Sequence, residues 1–231
     1  MVRYSFFFVV LMVAAQAHAQ RQTLGIGGTF APTSSHIMIG WSRDRQTVTA
    51  GLFYTRAMIT RGSFSIEYTA DVLPVFLERD PLLVSSYALV NGTKVIYPIS
   101  PTRVLSKQVV IGDVEYGNQE YAQYGVYSSE ETYGGAFHPL GVRFVLGRGH
   151  MIEGTFDAQF GAVISGRDIP IDNSERFNFL FSLGPGINLN FGEASVLHID
   201  YSYSHLSNRS LGDLNPGVDQ GTIRAVFSRR F

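Results

Sequence analysis

Strict alternation of apolar and polar residues, with charge on the polar set, leaves few folds open to a chain. Met151 to Val163 shows it most cleanly. Ile152, Phe156, Ala158, Phe160 and Ala162 share one parity, and Glu153, Thr155, Asp157 and Gln159 share the other. A period of two marks a β-strand, whose successive side chains point to opposite faces. The same pattern recurs in Gln22–Ala31, Gln46–Met58, Ser63–Phe76, Tyr133–Leu146, Arg176–Phe191, a seventh segment ending at Ser207, and Gln220–Phe231. The chain is therefore expected to be all-β, with eight antiparallel strands of about 10 to 14 residues, long enough to cross a bilayer at a tilt. His36 to Trp41 is apolar and is open to reading as loop or as strand extension. Glu78 to Thr132 is expected to be a long irregular external loop.

The polar parity decides which side is the inside. It carries Glu67, Asp71, Arg143, Glu153, Asp157, Asp200 and Arg224. Enclosed in a dry soluble core, these charges would be costly. In a small membrane barrel the interior is the polar side, and opposite charges fill it by pairing. The expected fold is thus an eight-stranded antiparallel transmembrane β-barrel of the outer-membrane type. Connection lengths agree. With both termini on the periplasmic side, the connections after strands two, four and six are short and fall there, whereas the others are longer and external.

Export is expected as well. Met1-Val2-Arg3, the apolar run Phe6 to Ala15 and Ala17-His18-Ala19 describe a secretory signal peptide over residues 1–19, leaving 20–231 as a single barrel domain. The apolar run is too short for a membrane-spanning helix, which needs about 20 residues. The formal net charge of −1 gives no reason to expect nucleic acid. The absence of cysteine excludes a disulfide framework, thiolate catalysis and a Cys-based zinc site. His36, His138, His150 and His198 have no metal-like spacing and are read as structural. Asn91-Gly92-Thr93 and Asn208-Arg209-Ser210 match the glycosylation sequon, which has no meaning in a bacterial outer membrane.

Chemistry concentrates near the C-terminus. His205 and Ser207 lie two apart and share the apolar parity of Leu197, Ile199, Tyr201 and Tyr203. Asp219 shares the outward parity of Ile223 and Phe227 on the next strand. Twelve residues separate Asp219 from Phe231, roughly 40 Å of strand. Tilted by about 40°, that is about 30 Å of depth, against an apolar band of about 25 Å. All three side chains are therefore expected to project from the wall at the external rim. A serine hydroxyl is a weak nucleophile; an imidazole can take its proton, and a carboxylate can fix the imidazole tautomer. At such a place the natural substrate is an ester in an amphiphile of the outer leaflet. Asp213, in mid-loop, is an alternative acid.

His205-x-Ser207-Asn208 followed by Asn215-Pro216-Gly217-x-Asp219 resembles the active-site signature of the lipid A 3-O-deacylase (PagL-type) family, also labelled acyloxyacyl hydrolases. Looser likeness extends to Phe137-x-Pro139-x-Gly141, Arg176-Phe177-Asn178-Phe179 and Tyr68-Thr69-Ala70-Asp71-Val72-x-Pro74. The resemblance implies Ser207 as nucleophile, His205 as base and Asp219 as the acid that orients it. It implies Asn208 as an oxyanion donor, hydrolysis of an ester-linked 3-hydroxyacyl chain of lipid A, and no metal or organic cofactor. The chain departs from the better-known members, which carry Glu where Asp219 stands and small residues where Arg209 stands. Arg209 is a candidate ligand for a lipid phosphate. The implied partners are lipopolysaccharide in the outer leaflet and, through the terminal Phe231, the barrel-assembly machinery; a homodimer is open. Three rivals stay open: a non-catalytic barrel in adhesion or membrane integrity, an outer-membrane phospholipase, and a soluble lipid-binding barrel.

Overall fold

The structure, a computed structural model, describes residues 21–211 and 213–231. The expected leader at 1–19 lies outside the described residues. Among these there are ten strands: β1 (Gln22–Ala31), β2 (Gln46–Arg61), β3 (Phe64–Val90), β4 (Thr93–Arg103), β5 (Gly112–Tyr116), β6 (Gln119–Leu146), β7 (Ile152–Ile169), β8 (Glu175–Phe191), β9 (Ser195–Ser207) and β10 (Val218–Arg230). Eight of them pair in the order β3-β2-β1-β10-β9-β8-β7-β6, and a β3–β6 ladder joins the last to the first. The fold is all-β, an antiparallel sheet with a closed ring of eight strands. Closure removes the open edges that would otherwise need covering. Each ring strand corresponds to one of the eight alternating segments, and the alternation is offset at bulges in β2, β3 and β6.

The ring is apolar without. Within, it is mostly polar but also encloses an apolar cluster that includes Phe53, Leu73, Phe76, Leu206 and Val218, which the expectation of a polar interior did not include. Thr69, Asp71, Arg143, Glu153, Asp157, Gln159, Asn188, His198, Asp200 and Arg224 are all buried. They are joined to one another. Arg143 Nε donates to Asp157 Oδ1 at 2.9 Å, and Arg224 bridges Asp157, Asp200 and Gln159. His198 contacts Asp200 at 2.9 Å and Asn188 at 2.8 Å, and Asn188 reaches Glu153. Outside, Ile26, Phe30, Leu52, Val72, Leu140, Ile152, Phe160, Tyr201, Ile223 and Phe227 are exposed.

The connections β2–β3, β6–β7 and β8–β9 are tight, with Gly62 and Gly192 at positive φ, a conformation that a Cβ would strain. Both chain ends of the ring meet on that side, where Phe231 N donates to Gln22 O. On the opposite side the excess length is strand rather than loop. β7 continues to Ile169, so its link to β8 is short. The segment expected to be irregular, 78–132, is mostly sheet: β3 runs on to Val90, β6 begins at Gln119, and β4 and β5 flank the extension they form. Asn91-Gly92, with both φ positive, is the two-residue turn of the β3–β4 hairpin rather than a bare sequon.

Just beyond the ring on this side, Arg45 is fully buried and gathers several segments. Its guanidinium donates to the carbonyls of Arg43, Val104, Leu105 and Pro170 and lies 2.9 Å from Asp80 and 3.6 Å from Glu78. Burial and the neighbouring Asp80 hold the Glu78 carboxyl well above the ordinary carboxylate range, only partly offset by Arg45. A raised acid favours its protonated form in the folded state. Its stabilising effect is therefore present below the unfolded value of about 4.3 and is lost as pH rises through the raised value. The purified protein is expected to resist protease in the 32–45 and 103–112 segments better at pH 5 than at pH 8. Glu78→Gln is expected to flatten that difference, and a wild type equally protected at both pH values would refute the assignment.

Candidate active site

β9 and β10 bring two of the predicted residues, His205 and Asp219, into contact. Their register sets His205 directly opposite Asp219, and His205 and Ser207 share the outer face of β9, about 6.6 Å apart along the strand. His205 Nδ1 lies 2.7 Å from Asp219 Oδ1. Asp213 is exposed in the loop, away from this pair, so the strand-borne acid is the one in contact.

Asp219 keeps its outward parity but is not exposed. Its relative accessibility is 0% because residues 35–42 fold back over it. Met38 N and Ile39 N donate to Oδ2 at 2.7 and 2.9 Å, while Tyr203 Oη donates to Oδ1 at 2.8 Å. With His205, four donors fill the roughly four lone-pair positions of one carboxylate. Burial opposes ionisation here. Hydrogen bonds from the Met38–Gly40 backbone, His205 and Tyr203 outweigh it and hold the Asp219 carboxyl well below its ordinary value. An ionised Asp219 can only accept, so Nδ1 of His205 carries the proton and Nε2 presents its lone pair. Nε2 has no hydrogen-bond partner among the described residues, and neither has the Ser207 hydroxyl. The arrangement has an oriented base with a free nitrogen and an unengaged hydroxyl on the same face.

Gly217, at φ +60°, completes the packing. A Cβ there would sit 3.0 Å from His205 Cε1 and 3.4 Å from Gly40 Cα. Asn208 is buried, and its groups serve the turn that follows β9. Its N–H donates to Asn215 Oδ1, its Nδ2 to Leu214 O, and its Oδ1 accepts from Ser210 N. An oxyanion role would call on the second Nδ2 proton, since the first is taken. Arg209 is exposed, at φ +52°, with a side chain that makes no hydrogen bond or ion pair among the described residues.

Two positioning groups escaped the sequence reading. Tyr203 was recoverable, because it has the parity of His205 two residues on. The 38–39 amides were not, because a backbone donor from a loop so distant in sequence leaves no residue-type signal.

Fold and site together define a closed, inside-out all-β ring with a hydrogen-bonded His–Asp pair on its outer wall. Residues 106–228, more than half of the chain, match the lipid A 3-O-deacylase (PagL) family, and the chain belongs to that family. The matched region contains His205, Ser207 and Asp219 but not the 35–42 loop. No curated protein sequence matches the chain. Among solved structures, Ail, the attachment invasion locus protein of Yersinia pestis, aligns with 93% of this chain and 100% of its own at 13% identity, with a TM-score of 0.38.

Proposed function

We propose that this chain is an outer-membrane serine esterase that removes an ester-linked 3-hydroxyacyl chain from lipid A in the outer leaflet. The observation that carries this reading is the His205–Asp219 pair on the apolar side of the wall, two residues from Ser207 on the same strand, in a member of the deacylase family. The charged interior and apolar exterior support a ring that spans the membrane with its strands. Asp219 then lies at the external rim, above the apolar band, where ester groups of the outer leaflet reside.

Ser207 Oγ attacks the ester carbonyl carbon as its proton passes to His205 Nε2. Asp219 holds the imidazole through Nδ1 and stabilises the cation that forms. The tetrahedral intermediate collapses, the sugar alkoxide leaves with the proton from Nε2, and an acyl ester remains on Ser207. A water then attacks that ester, giving its proton to Nε2. The proton returns to Ser207 Oγ as the free 3-hydroxy acid departs. Asn208 shapes the turn beside the nucleophile and offers its second amide proton to the oxyanion. Arg209, exposed two residues after Ser207, would meet a phosphate of the same lipid. No metal or organic cofactor enters this scheme.

The test is mass spectrometry of lipid A from cells that express the protein or Ser207→Ala. The wild type alone is expected to remove the mass of one 3-hydroxyacyl chain. Unchanged lipid A in both, with the barrel folded in the outer membrane, would return the chain to a non-catalytic role or to another lipid.

A further inference from the structure

The loop between β1 and β2 has two faces that the family match does not cover. Its inner face is backbone. Ser35 N donates to Asp219 O at 3.1 Å, Met38 N and Ile39 N donate to the Asp219 carboxylate, Trp41 N to Pro216 O and Ser42 N to Gly217 O. His36 closes the turn through Nδ1 to Gly40 O at 2.7 Å and stacks on Trp41 with ring centroids 4.8 Å apart. Gly40 is pressed against the acid. A Cβ there would lie 2.6 Å from Asp219 N and 2.8 Å from its Oδ1, closer than real Cβ contacts allow.

The outer face is apolar. Ile37, Met38, Ile39 and Trp41 are 48%, 65%, 60% and 63% exposed. Four large apolar side chains on one short loop are costly to leave in water. The loop is held beside the apolar outer wall in continuity with β10: Ser34 and Ser42 bridge to Gln220 and Val218, and Ile223 and Phe227 further along that strand are exposed. A lipid surface is the occupant that this continuity implies. Amphipathic Trp is suited to the headgroup boundary.

We propose that the 35–42 loop is a positioning element with two contacts. Its apolar side chains seat in the outer leaflet, and its amides hold Asp219 so that His205 is aimed at Ser207 when lipid is present. The inference deepens the proposed function and rests on it for the nature of the surface.

Trp41 is the only tryptophan in the chain, so its fluorescence reports this loop alone. In dioleoylphosphatidylcholine vesicles its emission is expected to be blue-shifted and quenched when the acyl chains are brominated near the headgroup. Water-like emission, quenched by acrylamide and indifferent to brominated lipid, overturns the seating. The positioning half is tested with Gly40→Ala on the full-length protein, normalised to the folded fraction by heat-modifiable gel migration. For lipid A, kcat is expected to fall about 100-fold with KM within twofold, the effect of misplacing a catalytic group by about 1 Å. A fluorophosphonate probe, which forms a P–O bond to Ser207 as fluoride leaves and His205 takes the proton, should label the variant about 100-fold more slowly. Equal kcat and equal labelling in wild type and Gly40→Ala overturn the positioning role. A wild type that labels at Ser207 yet leaves lipid A intact overturns the substrate alone, and slow labelling of Gly40→Ala still supports the loop.

Discussion

Asp219→Asn is expected to lower turnover about 10⁴-fold while the protein stays folded, the size of loss that follows when the acid of such a triad can no longer fix the tautomer. Oδ1 accepts from His205 and Tyr203, and Oδ2 accepts from two backbone amides. An asparagine amide must set its NH₂ against one of these donor pairs. Facing the loop, it repels the Met38 and Ile39 N–H groups and loosens the clamp. Facing His205, it donates to Nδ1, moves the imidazole proton to Nε2 and removes the lone pair that Ser207 needs. Both orientations disable the base. Purified wild type and variant compared on lipid A, with fluorophosphonate labelling of Ser207 as a second measure, would settle the point. A variant within tenfold of wild type would mean that Asp219 does not orient His205. Asp219→Glu is expected to cost about 10- to 100-fold. The extra methylene must enter a space where Gly40 already has no room for a Cβ.

Much of this architecture was legible because one physical rule, the period of two, operates along the ring strands between their bulges. Glu153, Asp157, Asp200 and Arg224 declared the polar interior by parity, and the structure joins them into one network. The rule weakened where β3 and β6 leave the ring. Their extensions lie beyond the closed ring, paired laterally with β4 and β5, and there burial no longer follows polarity. Ser86 and Ala88 are both buried on one face, and Pro81, Pro98 and Pro101 read as breakers. The Asn91-Gly92 turn was the signal available for that hairpin. At the site, parity and spacing singled out His205, Ser207 and Asp219, of which the structure pairs His205 with Asp219. Parity alone also implied an exposed acid, and only the path of residues 35–42 shows why it is buried.

The interior network carries the second large effect, on stability. Arg224→Met is expected to destabilise the ring by about 3–5 kcal/mol, since removing one partner leaves buried charge unpaired. Arg224 is buried and lies opposite Asp200 in the β9–β10 register. It contacts that carboxylate, Asp157 at 3.1 Å and the side-chain oxygen of Gln159. Without it, Asp157 keeps Arg143 at 2.9 Å, whereas Asp200 is left with His198. Asp200 is therefore the group that should dominate the cost. Arg224→Met combined with Asp200→Leu removes both ends of that pair, and an apolar replacement of similar volume is often neutral. The double variant is expected to recover more than half of the loss. Urea unfolding in phospholipid vesicles, followed by gel migration of folded and unfolded forms, gives both numbers. A single variant within about 1 kcal/mol of wild type would mean that water entering the lumen replaces the guanidinium. The pairing would then order the interior without holding the ring closed.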